Sequence, residues 1–161
     1  EKEINLLPKT ETCEIANDNC TGQIVVSGTK NANEILNKNL KNKKKRGVIL
    51  PVSAPFHCSL MKKASEKMKE KIASTDFLEP KIAIISNVTA KAENETNSIK
   101  TLLVKQITSR VRWRESVDYM IKMGVSDFIE IGPGKVLSSL VKKINKEVSI
   151  SSINFIEDVN K

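Results

Sequence analysis

The feature that most constrains the fold is an alternation between two hydrophobic periods. Short runs of β-branched residues alternate with longer stretches whose apolar residues recur every three to four positions. Gln23 to Ser27 reads as a strand, entered through a turn at Asn19-Cys20-Thr21-Gly22 and left at Gly28. Ala32, Ile35, Leu36 and Leu40 then mark a helix with Thr29 or Asn31 as N-cap, a basic end at Lys41 to Arg46 and Gly47 as stop. Val48 to Val52 reads as a second strand, shortened because Pro51 cannot donate to a ladder. A helix carrying Leu60, Met61, Ala64, Met68 and Ile72 follows, then a short apolar strand from Ile82 to Ile85. Helices are expected over Ile99 to Thr108 and Arg112 to Met123, a strand over Asp127 to Ile131, a Gly-Pro-Gly turn at 132–134, a helix from Val136 to Ile144, and a last strand over Val148 to Ile153. From Leu50 onward the order is β, α, β, α, α, β, α, β, which argues for an α/β sheet. Its continuous apolar strands suit helix-covered faces.

Composition narrows the class. With 161 residues, 39% hydrophobic and 29% charged, the chain is about one domain of globular type, not collagen-like, disulfide-dense or disordered. No apolar run approaches the ~20 residues of a membrane span, and the charged, apolar-poor opening Glu1 to Thr12 is not expected to act as a signal peptide. The missing initiator Met leaves a truncated or excised segment as one reading. Cys13, Cys20 and Cys58 cannot all pair internally and have no zinc-ribbon or Cys-x-x-Cys spacing, so a reducing compartment is expected. The net charge of +8 favours an acidic partner. Nucleic acid is disfavoured, because aromatic residues make up only 4% of the chain and nothing else assembles a groove reader.

One residue stands out chemically. His57 is the single histidine, in Pro-Val-Ser-Ala-Pro-Phe-His-Cys-Ser-Leu-Met. It is either a packed loop histidine or a general base working near neutral pH, and its place between a strand end and a helix start favours the base. A nucleophile is missing: Ser27, Ser53, Ser59, Ser86 and Ser138 all lack the Gly-x-Ser-x-Gly elbow, and Cys58 reads as a packed thiol. Whatever His57 activates is expected on another segment. Glu130 to Val136 lacks the Walker pattern and reads as a tight strand-to-helix turn before it reads as an anion cradle. The Lys41 to Arg46 run is a solvated helix end or a docking patch for an acidic partner.

Several stretches together resemble the C-terminal half of the malonyl-CoA:acyl carrier protein transacylases of bacterial type II fatty acid synthesis. They are Asn17-Asp18-Asn19 with Gly22 to Gly28, Leu50 to Met61, Asn87-Val88, Leu103 to Ile107, Val111 to Val117, and Glu130 to Leu137, in the family's order. The resemblance implies a partial α/β-hydrolase-like core with part of a ferredoxin-like small subdomain. Residues 1–50 would be the latter part of the small subdomain and 51–161 the C-terminal part of the core. It also implies malonyl transfer from coenzyme A to acyl carrier protein through a serine ester, in the cytoplasm and without a cofactor, coenzyme A entering only as the substrate thioester. His57 would be the base, steadied by the backbone carbonyl of Gln106. Asn17, Asn19 and Phe56 would line the substrate cleft, Phe56 beside the acyl group. The family's serine, oxyanion-hole and carboxylate-binding motifs belong to its N-terminal half. The isolated chain is therefore expected to be inactive, with a separate N-terminal half as a candidate partner beside malonyl-CoA and the carrier protein. Two other readings are a non-catalytic module that docks an acidic carrier protein, and a degenerate remnant.

Overall fold

The computed structural model describes residues 2–160 and is mixed α/β. Strands β1 (Cys13–Cys20) and β2 (Gln23–Gly28) form an antiparallel hairpin, closed at Thr21-Gly22 where Gly22 adopts φ +80°. The hairpin departs from the expectation, which put Asn19 and Cys20 in the turn. Two bulges, between Ile15 and Asn17 and between Asp18 and Cys20, break the period-two pattern that would have revealed β1.

Helix α1 (Lys30–Asn42) lies on this hairpin. Thr29 is its N-cap and accepts from the Ala32 N–H at 3.2 Å. Leu7, Cys13, Ala32 and Leu36 form the core between helix and hairpin, with Ile4, Val26, Ile35 and Leu40 packed around them. The helix stops before Gly47. Lys44 takes φ +55° and donates to the Lys41 carbonyl at 2.9 Å, while Lys45 donates to the Leu40 carbonyl at 2.8 Å. That pair of bonds is a Schellman cap with lysine at the left-handed position. Gly47 serves a different need, close approach: a Cβ there would sit 2.5 Å from Asn37 Oδ1.

Residues 48–52 form no strand. Val48 and Ile49 are two-thirds exposed and, among the described residues, no strand lies beside them to pair with. Helix α2 (Lys62–Ala73) packs on α3 (Thr96–Lys105). Of the Ile82 to Ile85 run only β3 (Ile84–Ile85) is strand, paired antiparallel with β4 (Ala92–Glu93). Helix α4 (Trp113–Lys122) buries Ser116 and Val117. Strands β5 (Asp127–Ile131) and β6 (Ser149–Ile153) pair in parallel across helix α5 (Val136–Ile144), which buries Leu140 and Val141. Both α4 and α5 pack against β1. Among the described residues the three sheets have two strands each, and β5 leaves Ile131 79% exposed. A parallel ribbon of this kind ordinarily has both faces covered, so this one is open on a side built for burial.

No helix among the described residues is long and apolar enough to cross a membrane.

Candidate active site

The site grows from the loop between Pro51 and the one-turn 3₁₀ helix at Ser59–Met61. His57 sits in this loop, half-buried, with φ +59°, a left-handed backbone uncommon for a residue with a side chain. Strained backbones of this kind persist where the surroundings over-determine them. Here they do. Cys58, next in the chain, is fully buried, and its Sγ lies 3.1 Å from the Pro55 carbonyl. Glu14 of β1 accepts from the Ser59 amide at 3.2 Å and from the Ser59 hydroxyl. The sulfur is thus enclosed, in keeping with a packed thiol.

His57 Nδ1 lies 3.0 Å from the carbonyl oxygen of Gln106. A carbonyl can only accept, so Nδ1 carries the proton and, in the neutral ring, Nε2 keeps a lone pair. Gln106 is the C-cap of α3, where main-chain carbonyls lack intrahelical donors and the helix dipole is negative. A helix end therefore supplies the acceptor that a carboxylate supplies in a serine protease. The Gln106 side chain accepts through Oε1 from Asn87 Nδ2 at 3.4 Å.

Asn17 and Asn19 lie on β1, with Asn19 in a bulge. Asn17 bridges to Val111 in the chain just beyond Gln106. Val111 donates to the Ala16 carbonyl at 2.8 Å and accepts from the Asp18 amide at 2.9 Å. Between the asparagines, buried Asp18 receives a two-pronged bond from Arg114, Nε to Oδ1 at 3.1 Å and Nη2 to Oδ2 at 2.7 Å. The hairpin is thereby tied to the histidine loop through Glu14 and to α4 through Asp18. Neither asparagine side chain hydrogen-bonds to the imidazole among the described residues. Phe56 is about half exposed. Two depressions, of 270 and 370 Å³, lie beside α4 and beside the hairpin, and His57 lines neither. Glu14, Asp18 and Arg114 were not singled out from the sequence. Asp18 and Arg114 lay within stretches that carry the family resemblance, but nothing in the sequence paired them.

Arg110 and Arg112 both bond Glu115, and Arg112 also donates to the carbonyls of Val88 at 3.3 Å and Thr89 at 3.2 Å. The hydrogen bond from Arg112 holds the Glu115 carboxyl below its ordinary range; burial opposes this, and the charges of Arg112 and Arg110 reinforce it. A depressed carboxyl stabilises the fold at pH values above its unfolded value. That contribution begins to fade as pH falls below about 4.3 and is gone once the lowered folded value is passed. Thermal melts should therefore show Glu115→Gln below the parent protein at neutral pH, with the gap narrowing as pH falls through the acid range. A gap of constant size would mean the carboxylate charge contributes nothing.

The two anion-site candidates resolve differently. At the Gly-Pro-Gly turn, Glu130 turns back onto the start of α5 and accepts from the Leu137 and Ser138 amides at 3.0 and 2.8 Å. The protein's own carboxylate thus occupies the helix N-terminus; the Ser138 side chain lowers its pKa most, the Ser138 amide next, desolvation opposes them, and the Leu137 and Val136 amides add less. In the basic run, Lys43 and Lys45 pair with Glu3. Among the described residues no group of three His, Cys, Asp or Glu side chains could hold a metal ion.

No family model matches the chain. It is 46% identical over 142 residues to the malonyl CoA-acyl carrier protein transacylase of Bacillus subtilis, covering 88% of this chain and 45% of that protein. The Staphylococcus aureus protein of the same name is 46% identical over 147 residues, covering 91% and 48%. Among solved structures, the acyl-carrier-protein S-malonyltransferase of Bartonella henselae superposes with a TM-score of 0.94 at 39% identity, over 99% of this chain and 51% of that one. A malonyl-transacylase solved in complex with a type II PKS acyl-carrier protein gives 0.93 at 32% identity, over 99% and 52%. The chain spans about half the length of the relatives it matches. These likenesses define the class first: a mixed α/β fold shared with solved acyl-carrier-protein malonyltransferases, matched over nearly all of the present chain. More narrowly, over nearly all of its length the chain is similar to malonyl-CoA:acyl carrier protein transacylases, spanning about half of each.

Proposed function

We propose that the chain is the C-terminal portion of an acyltransferase that moves malonyl from coenzyme A to acyl carrier protein in the cytoplasm, without a cofactor. In this reading residues 51–161 belong to an α/β-hydrolase-like core and residues 1–50 to a ferredoxin-like small subdomain that carries Asn17 and Asn19 to the substrate cleft. Phe56 lies along the same cleft. A serine on the remainder of the enzyme is the nucleophile. His57 Nε2 takes its proton as the oxygen bonds to the thioester carbon, and the imidazolium returns the proton to the departing coenzyme A thiolate. The carrier's thiol then gives its proton to Nε2 and attacks the serine ester, and the serine oxygen leaves with that proton.

The observation that carries this reading is the 3.0 Å contact from His57 Nδ1 to the Gln106 carbonyl, which leaves Nε2 as the basic atom on a half-buried ring. The similarity to the transacylases supports it, as does the open face of β5, which another portion of a larger enzyme would cover. A basic docking module is the alternative: Glu3 offsets one charge of the run through Lys43 and Lys45, and the remaining cations stay available to an acidic partner.

The test is transfer of radiolabelled malonyl from malonyl-CoA to acyl carrier protein. The purified 161-residue chain should show no turnover, and adding the N-terminal half of a relative should restore it. Members of a nucleophile–base unit fail together when one is missing. Turnover by this chain alone would overturn the proposal.

A further inference from the structure

We propose that Asn87 is a positioning residue for His57, acting through the side-chain amide of Gln106. This rests on the reading of His57 as the base and adds a residue to that site.

Gln106 is held at two places. Its main-chain carbonyl takes the imidazole Nδ1–H at 3.0 Å, and its side-chain oxygen takes Asn87 Nδ2 at 3.4 Å. The carbonyl belongs to the last, loosening turn of α3, where Ile107 and Thr108 donate back only three residues, at 3.3 and 3.2 Å. Such an end has little to fix the plane of its final peptide. A second anchor on the same residue resists rotation of that plane away from the ring.

Asn87 can act as an anchor because it is itself immobilised. Its carbonyl accepts from the Arg112 amide at 3.1 Å. The Arg112 guanidinium spans the next two carbonyls, Val88 and Thr89, and is held from its other side by Glu115. The turn closes on itself, with Ala90 donating to the Ser86 carbonyl at 2.8 Å, Ser86 donating to Lys91 at 3.0 Å, and Ala90 at φ +55°. A chain of contacts thus runs from the Arg112–Glu115 pair through Asn87 and Gln106 to the ring. The ring's tautomer is set by the bond that its other nitrogen makes, so slack anywhere along this chain reaches Nε2.

His57 is the only histidine, so the experiment can be done on this chain without any turnover. Long-range ¹⁵N–¹H correlation spectra of the neutral imidazole report the ratio of Nδ1–H to Nε2–H forms. The parent chain should be mainly Nδ1–H. Asn87→Ala and Gln106→Met should each lower the ratio by about two- to tenfold, the worth of one ordinary hydrogen bond. The double variant should go no lower than the singles, because both remove the same link. Gln106→Glu keeps an acceptor for Asn87 and should keep the parent ratio. An unchanged ratio in either of the first two variants, provided circular dichroism shows it folded, overturns the proposal, as does additivity in the double variant. Failure of the malonyl-transfer assay would leave these spectra untouched, so the two readings fail separately.

Discussion

Replacing His57 with alanine in the assembled enzyme should slow acylation by the malonyl thioester by about 10²–10⁴-fold, the range that a positioned general base supplies. The magnitude follows from what remains. Among the described residues Cys58, the adjacent ionisable group, is sealed in the interior, and the Gln106 carbonyl can accept a proton's hydrogen bond but cannot take the proton. No neighbour inherits the role. The loss should appear in the acylation rate more than in substrate binding, because the imidazole acts on a proton in flight. His57→Asn makes the sharper companion. Asparagine tolerates the left-handed backbone at φ +59° better than alanine does, so it separates lost base from added strain. Single-turnover acylation followed by mass of the serine ester measures both variants. Parent rates in His57→Asn would remove the imidazole from the mechanism.

The largest expected effect on stability comes from Gly28→Ala. Gly28 pairs with Cys13 at the end of the hairpin, and a Cβ there would lie 2.1 Å from the Thr12 carbonyl oxygen and 2.8 Å from Cys13 Cα. Both obstacles are backbone, so no side-chain rotation relieves them. The strands must separate, and with them go the bond from the Thr29 amide to Thr12 at 2.9 Å and the seat of Cys13 in the core under α1. Overpacking costs about 1–3 kcal/mol where side chains can yield, and more where they cannot, so a loss of about 3–5 kcal/mol is expected. That is a large share of the ~5–15 kcal/mol holding an ordinary domain together. Urea unfolding followed by far-ultraviolet circular dichroism should show it. Gly22→Ala is the control: it faces empty space at φ +80°, and should lose only the backbone penalty of about 1–2 kcal/mol. If both variants unfold at the parent midpoint, the close approach at Gly28 does not limit the hairpin.

Much of this protein is local and could be read from the chain. Thr29 caps α1 because its hydroxyl stands three residues before a free amide, and the 3.6-residue period of Ala32, Ile35, Leu36 and Leu40 sets the buried face. Trp113–Lys122 and Asp127–Ile131 follow from their own periods, and a single histidine just after two prolines marks the loop worth watching. What required the tertiary structure has a common cause: a partner distant in sequence. Residues 48–52 have the residue types of a strand but no neighbour to make them one, while β1 is a strand whose bulges at Ala16 and Asn19 hide its alternation. The α1 stop is made by Lys44, where two returning amides outweigh the steric preference for glycine. Glu130 fills the helix end that an anion could have used, and Asp18 meets Arg114 from 96 residues away. The atom His57 leans on lies 49 positions along the chain and is main-chain, an acceptor every residue carries, so residue type and period could not single it out; the resemblance named Gln106, and only the tertiary structure brings its carbonyl to the ring.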